Sequence, residues 1–455
     1  MATAAEITAS LPKKPTNKVS HIPGDNGLPI VGYTFEFLKD FPGLVNKMAA
    51  RYGEVFRYRA IMQDVITLLG PDANEFVLKD SDHNFSSKLA WDVVLEEIFP
   101  NGLMLKDFDD HKLHRKILQG AFKKNVMEGY VDRMSAIFAQ DLPSWKVNKE
   151  IHFFDCIKEL LLSGGAQLFL GTKLGPESKK VNESFIAAVD ASLAVLRLPI
   201  PGTTWGRGLK GRKFLEKFIG EMIPQKRNST SNDFFTQICQ AKGDSGEVLT
   251  DKEVIDHMIF LLFAAHDTTT STLTSLVYRL AKHPEWQQKL REEFNAIGKE
   301  HVDYDDLEKM EQTALVFRET LRMHPPLPTI PRRAIREVEF KGFKIPKNAA
   351  VGVVPLHTHF MPEYWPNPYQ FDPERFSPER AEHKKHFYQW VPFGGGHHKC
   401  LGLNFAEIQS KVFLYHFLRR FEVTIKPGYE LPFQVVPLAM PKDGFPCTLK
   451  PVKQA

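Results

Sequence analysis

The sequence predicts a large, mainly α-helical body with a small β part, and three observations carry that expectation. From about Pro71 to Arg322 the apolar residues recur mostly at helical spacing. Short runs of strand character, VFRYRAI and VITLLG, precede that stretch, and VEFKGFKI and the segments after Phe421 follow it. No Gly/Ser linker, low-complexity tract or internal repeat divides the 455 residues, so one domain over 1–455 is expected, with 1–30 as an extended N-terminal segment.

Taken in order, the turn-rich HIPGDNGLPIVG leads into an amphipathic helix expected near Thr34 to Arg51, then the two strand runs. LPIPGTTWGRG interrupts the long helical region as a loop. Residues 254–280 form the longest helix candidate, with apolar residues at 254, 258, 261, 262, 265, 273, 276, 277 and 280. VEFKGFKI alternates about a central glycine and predicts a hairpin. LGLNFAEIQSKVFLYHFLRRF places Leu401, Phe405, Ile408, Val412, Tyr415 and Leu418 near one helix face.

Composition sets limits on function. With 43% hydrophobic and 25% charged residues the chain has material for a large buried core, as a soluble globular protein does. The 59 Lys and Arg nearly balance the 55 Asp and Glu, which gives a nucleic-acid partner no support. Cys156, Cys239, Cys400 and Cys447 are widely spaced and suit free thiols of a reducing compartment. The first twenty residues hold neither an apolar span nor a signal-peptide pattern and lack arginine, so a cytoplasmic chain without a membrane anchor is expected.

The middle of the long helix is unusual, because His266, Asp267 and three threonines stand where Ala or Leu would be expected. Thr268 can bond back to the carbonyl of Ala264, which loosens a helix and can open a groove. The segment alone leaves two readings open: capping or bending of the helix, and an acid beside a hydroxyl that delivers protons to a bulky ligand. Glu319 and Arg322 in ETLR lie one helical turn apart, a spacing that is usually surface decoration. FDPERF supplies Arg375 as a third member that could tie Glu319 to the loop ahead.

That loop, FGGGHHKCLG at 393–402, has several conceivable uses. A phosphate loop needs GK[ST], and Lys399-Cys400 does not fit. A zinc site needs about four ligands, and no second CxxC or HxxxH accompanies His397, His398 and Cys400. A nucleophilic cysteine lacks a surrounding signature. A cysteine at the start of an amphipathic helix, behind glycines that admit close backbone N–H groups, suits a persistent thiolate that ligates metal.

On these motifs the sequence resembles the cytochrome P450 superfamily of haem-thiolate monooxygenases along nearly its whole length. Phe393, Gly396, His398, Cys400 and Gly402 fit FxxGx[R/H]xCxG, Glu319 and Arg322 fit ExxR with Arg375 as its distant partner, and AAHDTT fits the oxygen-activating helix segment. The resemblance implies a triangular helical prism around haem b, iron protoporphyrin IX, with Cys400 as axial ligand. It implies propionate contacts at His398, where most relatives carry Arg, at His111 and Arg115 of HxxxR, and at Arg332. It gives Asp267 and Thr268 the proton supply, and it makes Ala265, where many relatives have Gly, a slight narrowing above the haem.

By the same resemblance the reaction inserts one atom of O2 into a C–H bond. With no flavin or iron–sulfur segment before Ala455, electrons are expected from an external donor, a ferredoxin with its reductase, docking near Lys112, Lys116, Lys123 and Lys124 of a monomeric enzyme. Pocket positions by resemblance are Trp91, Val94, Phe263, Ala264, Ile330, Leu438 and Met440, which suit a long apolar substrate. WVPFGGG, the PPLP and THF stretches and FLLFAAHDTTTS are similar to the animal retinoic acid hydroxylases and their soluble bacterial relatives, including a cyanobacterial retinoid hydroxylase, which implies a retinoid. Fatty-acid, steroid or other terpenoid hydroxylation, a peroxide-dependent haem-thiolate enzyme and a haem-based sensor are the alternatives.

Overall fold

The computed structural model describes residues 3–171, 177–192, 194, 197–243 and 246–452. Helices dominate, and the elements that position the site are α1 (Lys88–Leu95), α2 (Phe108–Gln119), α3 (Phe153–Leu170), α4 (Ser178–Ser192), α5 (Asp251–Lys282), α6 (Glu311–Met323) and α7 (Leu403–Leu418). The N-terminal segment is not wholly extended: Ala4–Ala9 is helical, started by a capping box in which Thr3 and Glu6 satisfy each other's backbone N–H. The helix expected near Thr34 to Arg51 is divided into Thr34–Lys39 and Phe41–Tyr52. Asp40 leaves helical geometry between them and accepts the Gly43 N–H at 3.0 Å, and Pro42, which has no N–H to bond, follows it.

α5 runs through the core. Thr250 and Glu253 cap its start, the hydroxyl accepting the Glu253 N–H at 3.3 Å and the carboxylate accepting the Thr250 N–H at 2.8 Å. Val254, Met258, Leu273, Leu276, Val277 and Leu280 are fully buried in one cluster with α7 and the neighbouring helices. Each such side chain contributes about 1.5–3 kcal/mol relative to exposure. Between these two buried ends, 261–265 and 267–268 are only half-buried, so the helix faces open space where its sequence turns polar.

The β part is a six-stranded mixed sheet of β1 (Gly24–Asp25), β2 (Val55–Ala60), β3 (Gln63–Leu68), β4 (Phe85–Ser86), β5 (Ile330–Ala334) and β6 (Ala350–Val353), in the order β1-β2-β3-β6-β5-β4. β2 and β3 are an antiparallel hairpin with Val55 opposite Leu68, and β3 runs parallel to β6. β5 pairs antiparallel with β6, Arg332 opposite Val351, and α1 packs against it. The VEFKGFKI hairpin forms as expected, turning at Lys341 and Gly342 with φ of 48° and 81°. Among the described residues no helix is long and apolar enough to cross a membrane.

Candidate active site

Backbone bonds fold 393–402 into a closed loop. Cys400 N–H donates to the Phe393 carbonyl at 2.9 Å, and Gly394 N–H donates to Val391 at 3.0 Å. Gly396 adopts φ 59°, and a Cβ there would lie 1.9 Å from the Leu78 carbonyl oxygen, so this turn presses directly on the neighbouring helix backbone. α7 begins at Leu403, after a short 3-10 turn at Gly396–His398, so Cys400 precedes the helix rather than forming its first residue.

The Cys400 side chain is accessible, but from within a recess. Burial there pushes the thiol up, outweighing a hydrogen bond from the Gly402 N–H and the charges of Arg115 and Lys399, which act the other way. Burial thus works against the thiolate that the loop N–H groups and the nearby positive charges favour. A metal held by Cys400 would favour the thiolate, since coordination deprotonates a thiol outright. The other three cysteines do not join Cys400: Cys239 and Cys447 are core residues with thiols pushed up to about 12 by burial, and Cys156 is half-buried.

Basic side chains converge beside this loop. The His111 and His398 rings lie 4.0 Å apart, whereas His397 turns away to stack on His83 at 5.5 Å. Burial pushes His111 down to about 4, helped by the Arg115, His397 and Arg332 charges, and burial holds His398 far below its ordinary range. Arg332 on β5 is 6% exposed and donates to the Pro331 carbonyl at 2.9 Å; burial lowers it to about 10. Among the described residues neither Arg332 nor Arg115 has a carboxylate at ion-pair distance. Asp107, at 3.7 Å from His398, is taken up by Ser86 and by the N–H groups of Ser87 and Lys88. A buried and a half-buried cation without carboxylates at ion-pair distance and an accessible thiol form a donor set that fits a haem, whose carboxylates would answer the cations.

Glu319 and Arg322 are fully buried, which removes the surface-decoration reading. Arg322 Nε donates to Glu319 Oε2 at 2.7 Å and Nη2 to Oε1 at 2.8 Å, the bidentate geometry that favours Arg. Arg375 Nε comes only to 3.5 Å of Glu319 Oε1; its Nη groups donate to Glu382 at 2.8 Å and to the carbonyls of Asn367 and Pro366. The Asp372 N–H donates to Glu319 Oε1 at 3.0 Å. The connection from this pair to the cysteine loop is His359, which sequence reasoning did not single out. Arg322 Nη1 donates to its carbonyl at 2.7 Å, and its ring bridges the Arg322 carbonyl and the Val391 N–H.

On α5, Thr268 Oγ1 donates to the Ala264 carbonyl at 2.7 Å, and Thr270, Thr272 and Thr274 repeat the bond to the residue four back. Asp267 does not pair with Thr268 but with His266, Oδ1 to Nδ1 at 2.8 Å. That partner lay next to it in the sequence. Ala265 lies with Leu262, His266 and Thr269 along a recess that Ala264 and Thr268 do not line.

The expected pocket residues are all half-buried. α1, which carries Trp91 and Val94, packs on β5, and Ile330 at the start of β5 lies against Gly394. Phe263 stacks on Phe99 at 4.3 Å, a neighbour the sequence did not flag. The Ala439 N–H donates to the Pro326 carbonyl at 3.0 Å and brings Leu438 and Met440 to the PPLPTIP segment.

With this geometry in place, comparisons with known proteins agree. The cytochrome P450 family model matches residues 22–447. A putative cytochrome P450 136 of Mycobacterium tuberculosis is 35% identical over 96% of this chain and 90% of its own. A putative cytochrome P450 120 of Synechocystis is 30% identical over 93% of this chain and 95% of its own. The structure of retinoic acid bound cyanobacterial CYP120A1 superposes with a TM-score of 0.86 at 29% identity, covering 95% of this chain and 99% of that one. The chain belongs to the cytochrome P450 family and is a monooxygenase. Its family works with haem, O2 and an external source of electrons.

Proposed function

We propose that this monooxygenase hydroxylates a retinoid such as retinoic acid, with haem b held by Cys400 and its propionates met by His111, Arg115, Arg332 and His398. The observation that carries the substrate is the likeness to a retinoic acid bound relative over 95% of the chain. The half-buried apolar set of Trp91, Val94, Phe263, Ala264, Ile330, Leu438 and Met440 is in keeping with a long, largely apolar guest.

Haem, when bound, supplies the activation of O2. The chain's own part is to hold the sulfur through the closed 393–402 loop, exclude water with the apolar lining and deliver protons. His266 Nδ1 holds Asp267 Oδ1, and Thr268 keeps its hydroxyl on the Ala264 carbonyl, where its oxygen lone pairs are free to accept. Lys112 and Lys116 lie one turn apart on the exposed face of α2 and, with Lys123 and Lys124, present positive charge to an acidic ferredoxin-type donor of a monomeric, cytoplasmic enzyme.

Titration of the ferric protein with all-trans-retinoic acid and, separately, a saturated fatty acid of similar length tests the substrate. A saturable low-to-high-spin change of the Soret band with the retinoid alone is expected. No response, or response to the fatty acid alone, overturns the retinoid and leaves the monooxygenase.

A further inference from the structure

Where α3, α4, α5 and α7 meet, they line a half-open recess that is not on the Thr268 face of α5. Leu262, Ala265, His266 and Thr269, spaced i, i+3, i+4 and i+7, line it from α5. From α3 comes Gly165, where an added Cβ would meet no atom within 4 Å. Phe185 of α4 completes the wall and stands edge-on to His266, ring centroids 5.6 Å apart.

The recess is mostly apolar, but half-buried Asn182 and buried Thr269 and Gln409 are polar lining groups that are unanswered among the described residues. Thr269 on α5 is 5% exposed and Gln409 on α7 is 7% exposed, and among the described residues neither side chain has a hydrogen-bond partner. Thr268, Thr270, Thr272 and Thr274 all bond back to their own helix, so Thr269 stands apart from its neighbours. The polar atoms of Thr269 and Gln409 are not fully buried, so they open onto the recess, where a guest can bond them. An apolar wall with one polar end specifies a guest of the same pattern.

We propose that this recess is a second binding site, separate from the haem pocket, for a small apolar molecule ending in one hydroxyl or carbonyl group. The apolar body fills the space left by Gly165 against Phe185 and Leu262, and its polar end bonds to Gln409 and Thr269. Such a guest touches His266 and acts through it on Asp267, 2.8 Å away, so occupancy tunes proton delivery without competing with substrate.

The probe is 1-hexanol, with n-hexane as its apolar control, added to the haem-loaded enzyme while melting temperature and Soret band are followed. The expected result is saturable stabilisation by the alcohol with an unmoved Soret band. Affinity falls by about tenfold in Gly165→Leu, which fills the recess, and by a smaller factor in Gln409→Leu. Leu is a better helix former than Gly, so the first variant is not weakened by propensity, and Gly165→Met serves if Leu does not fold. Absence of saturable binding, equal binding in the filled variant, a moved Soret band or equal stabilisation by hexane each overturns the proposal. Retinoid binding plays no part in any of these readouts.

Discussion

Val391 donates its backbone N–H to His359 Nε2 at 3.1 Å, while His359 Nδ1–H donates to the Arg322 carbonyl at 3.0 Å. One neutral imidazole thus fastens the Glu319–Arg322 pair to the segment that turns into the cysteine loop two residues later. The ring is fully buried, and burial, helped by the Arg322 charge, holds it down at about 3. His359→Phe leaves the Arg322 carbonyl and the Val391 N–H unanswered and is expected to cost about 1–3 kcal/mol of stability. His359→Gln, which can both donate and accept, is expected to recover part of it. Denaturant unfolding and haem retention measure both.

Acid sensitivity follows from the same ring. Its folded value, about 3, lies below the unfolded value of about 6.5, so the unfolded chain takes up a proton first as pH falls. Stability from this group is complete above about pH 6.5 and is lost toward pH 3, at a slope approaching about 1.4 kcal/mol per pH unit. His257 and His416, also pushed to about 3 chiefly by burial, add in the same direction. His359→Gln is expected to show a shallower loss of stability from pH 6.5 to 4.5; a slope equal to that of the parent would exclude His359 as a contributor.

Cys400→Ser is expected to abolish the thiolate-type spectrum of the ferrous CO complex. Cys156→Ala, Cys239→Ala and Cys447→Ala are expected to retain it, since those thiols lie apart from the 393–402 loop. Loss of the spectrum in any of the three would count against Cys400 as the sole ligand.

For proton delivery, Thr268→Ala removes the hydroxyl held at Ala264, and Asp267→Asn weakens the pairing with His266. Thr268→Ala is expected to lower product formed per NADPH consumed and to raise peroxide release, and Asp267→Asn to slow turnover by about 10²-fold. Coupling unchanged in the threonine variant would remove the pair from proton supply.

Replacing Lys112 and Lys116 with Glu reverses charge on the exposed face of α2. Reduction by a ferredoxin-type donor is expected to slow at low ionic strength, with the deficit shrinking as salt screens it. Reduction by dithionite is the control and should not change.

The helical body, the hairpin at 338–345 and the loop at 393–402 were legible because each is written in contiguous residues: periodicity, a turn glycine, a motif. His359 was not legible, since its partners are 37 and 32 positions away and only the folded chain brings them to one ring. The pairing of Asp267 with His266 rather than Thr268 depended on side-chain direction, which neighbouring letters do not encode. The break at Asp40 was missed because the apolar spacing continues across it, although Pro42 marked it. The start of α7 at Leu403 likewise follows from the geometry of the glycine loop, not from the apolar stripe, which reaches back to Leu401.

Gly396, with its would-be Cβ 1.9 Å from a backbone oxygen that no rotamer can move, also bears on how this enzyme can be evolved in the laboratory. In a library randomised at every position of 393–402, survivors should carry glycine at 396 almost without exception, even when selection asks only for folded protein. Gly165 should behave in the opposite way, accepting side chains of many sizes under that selection. A search for altered chemistry therefore gains little from diversity in the loop's turn, and its useful variation lies in the walls that face the two pockets.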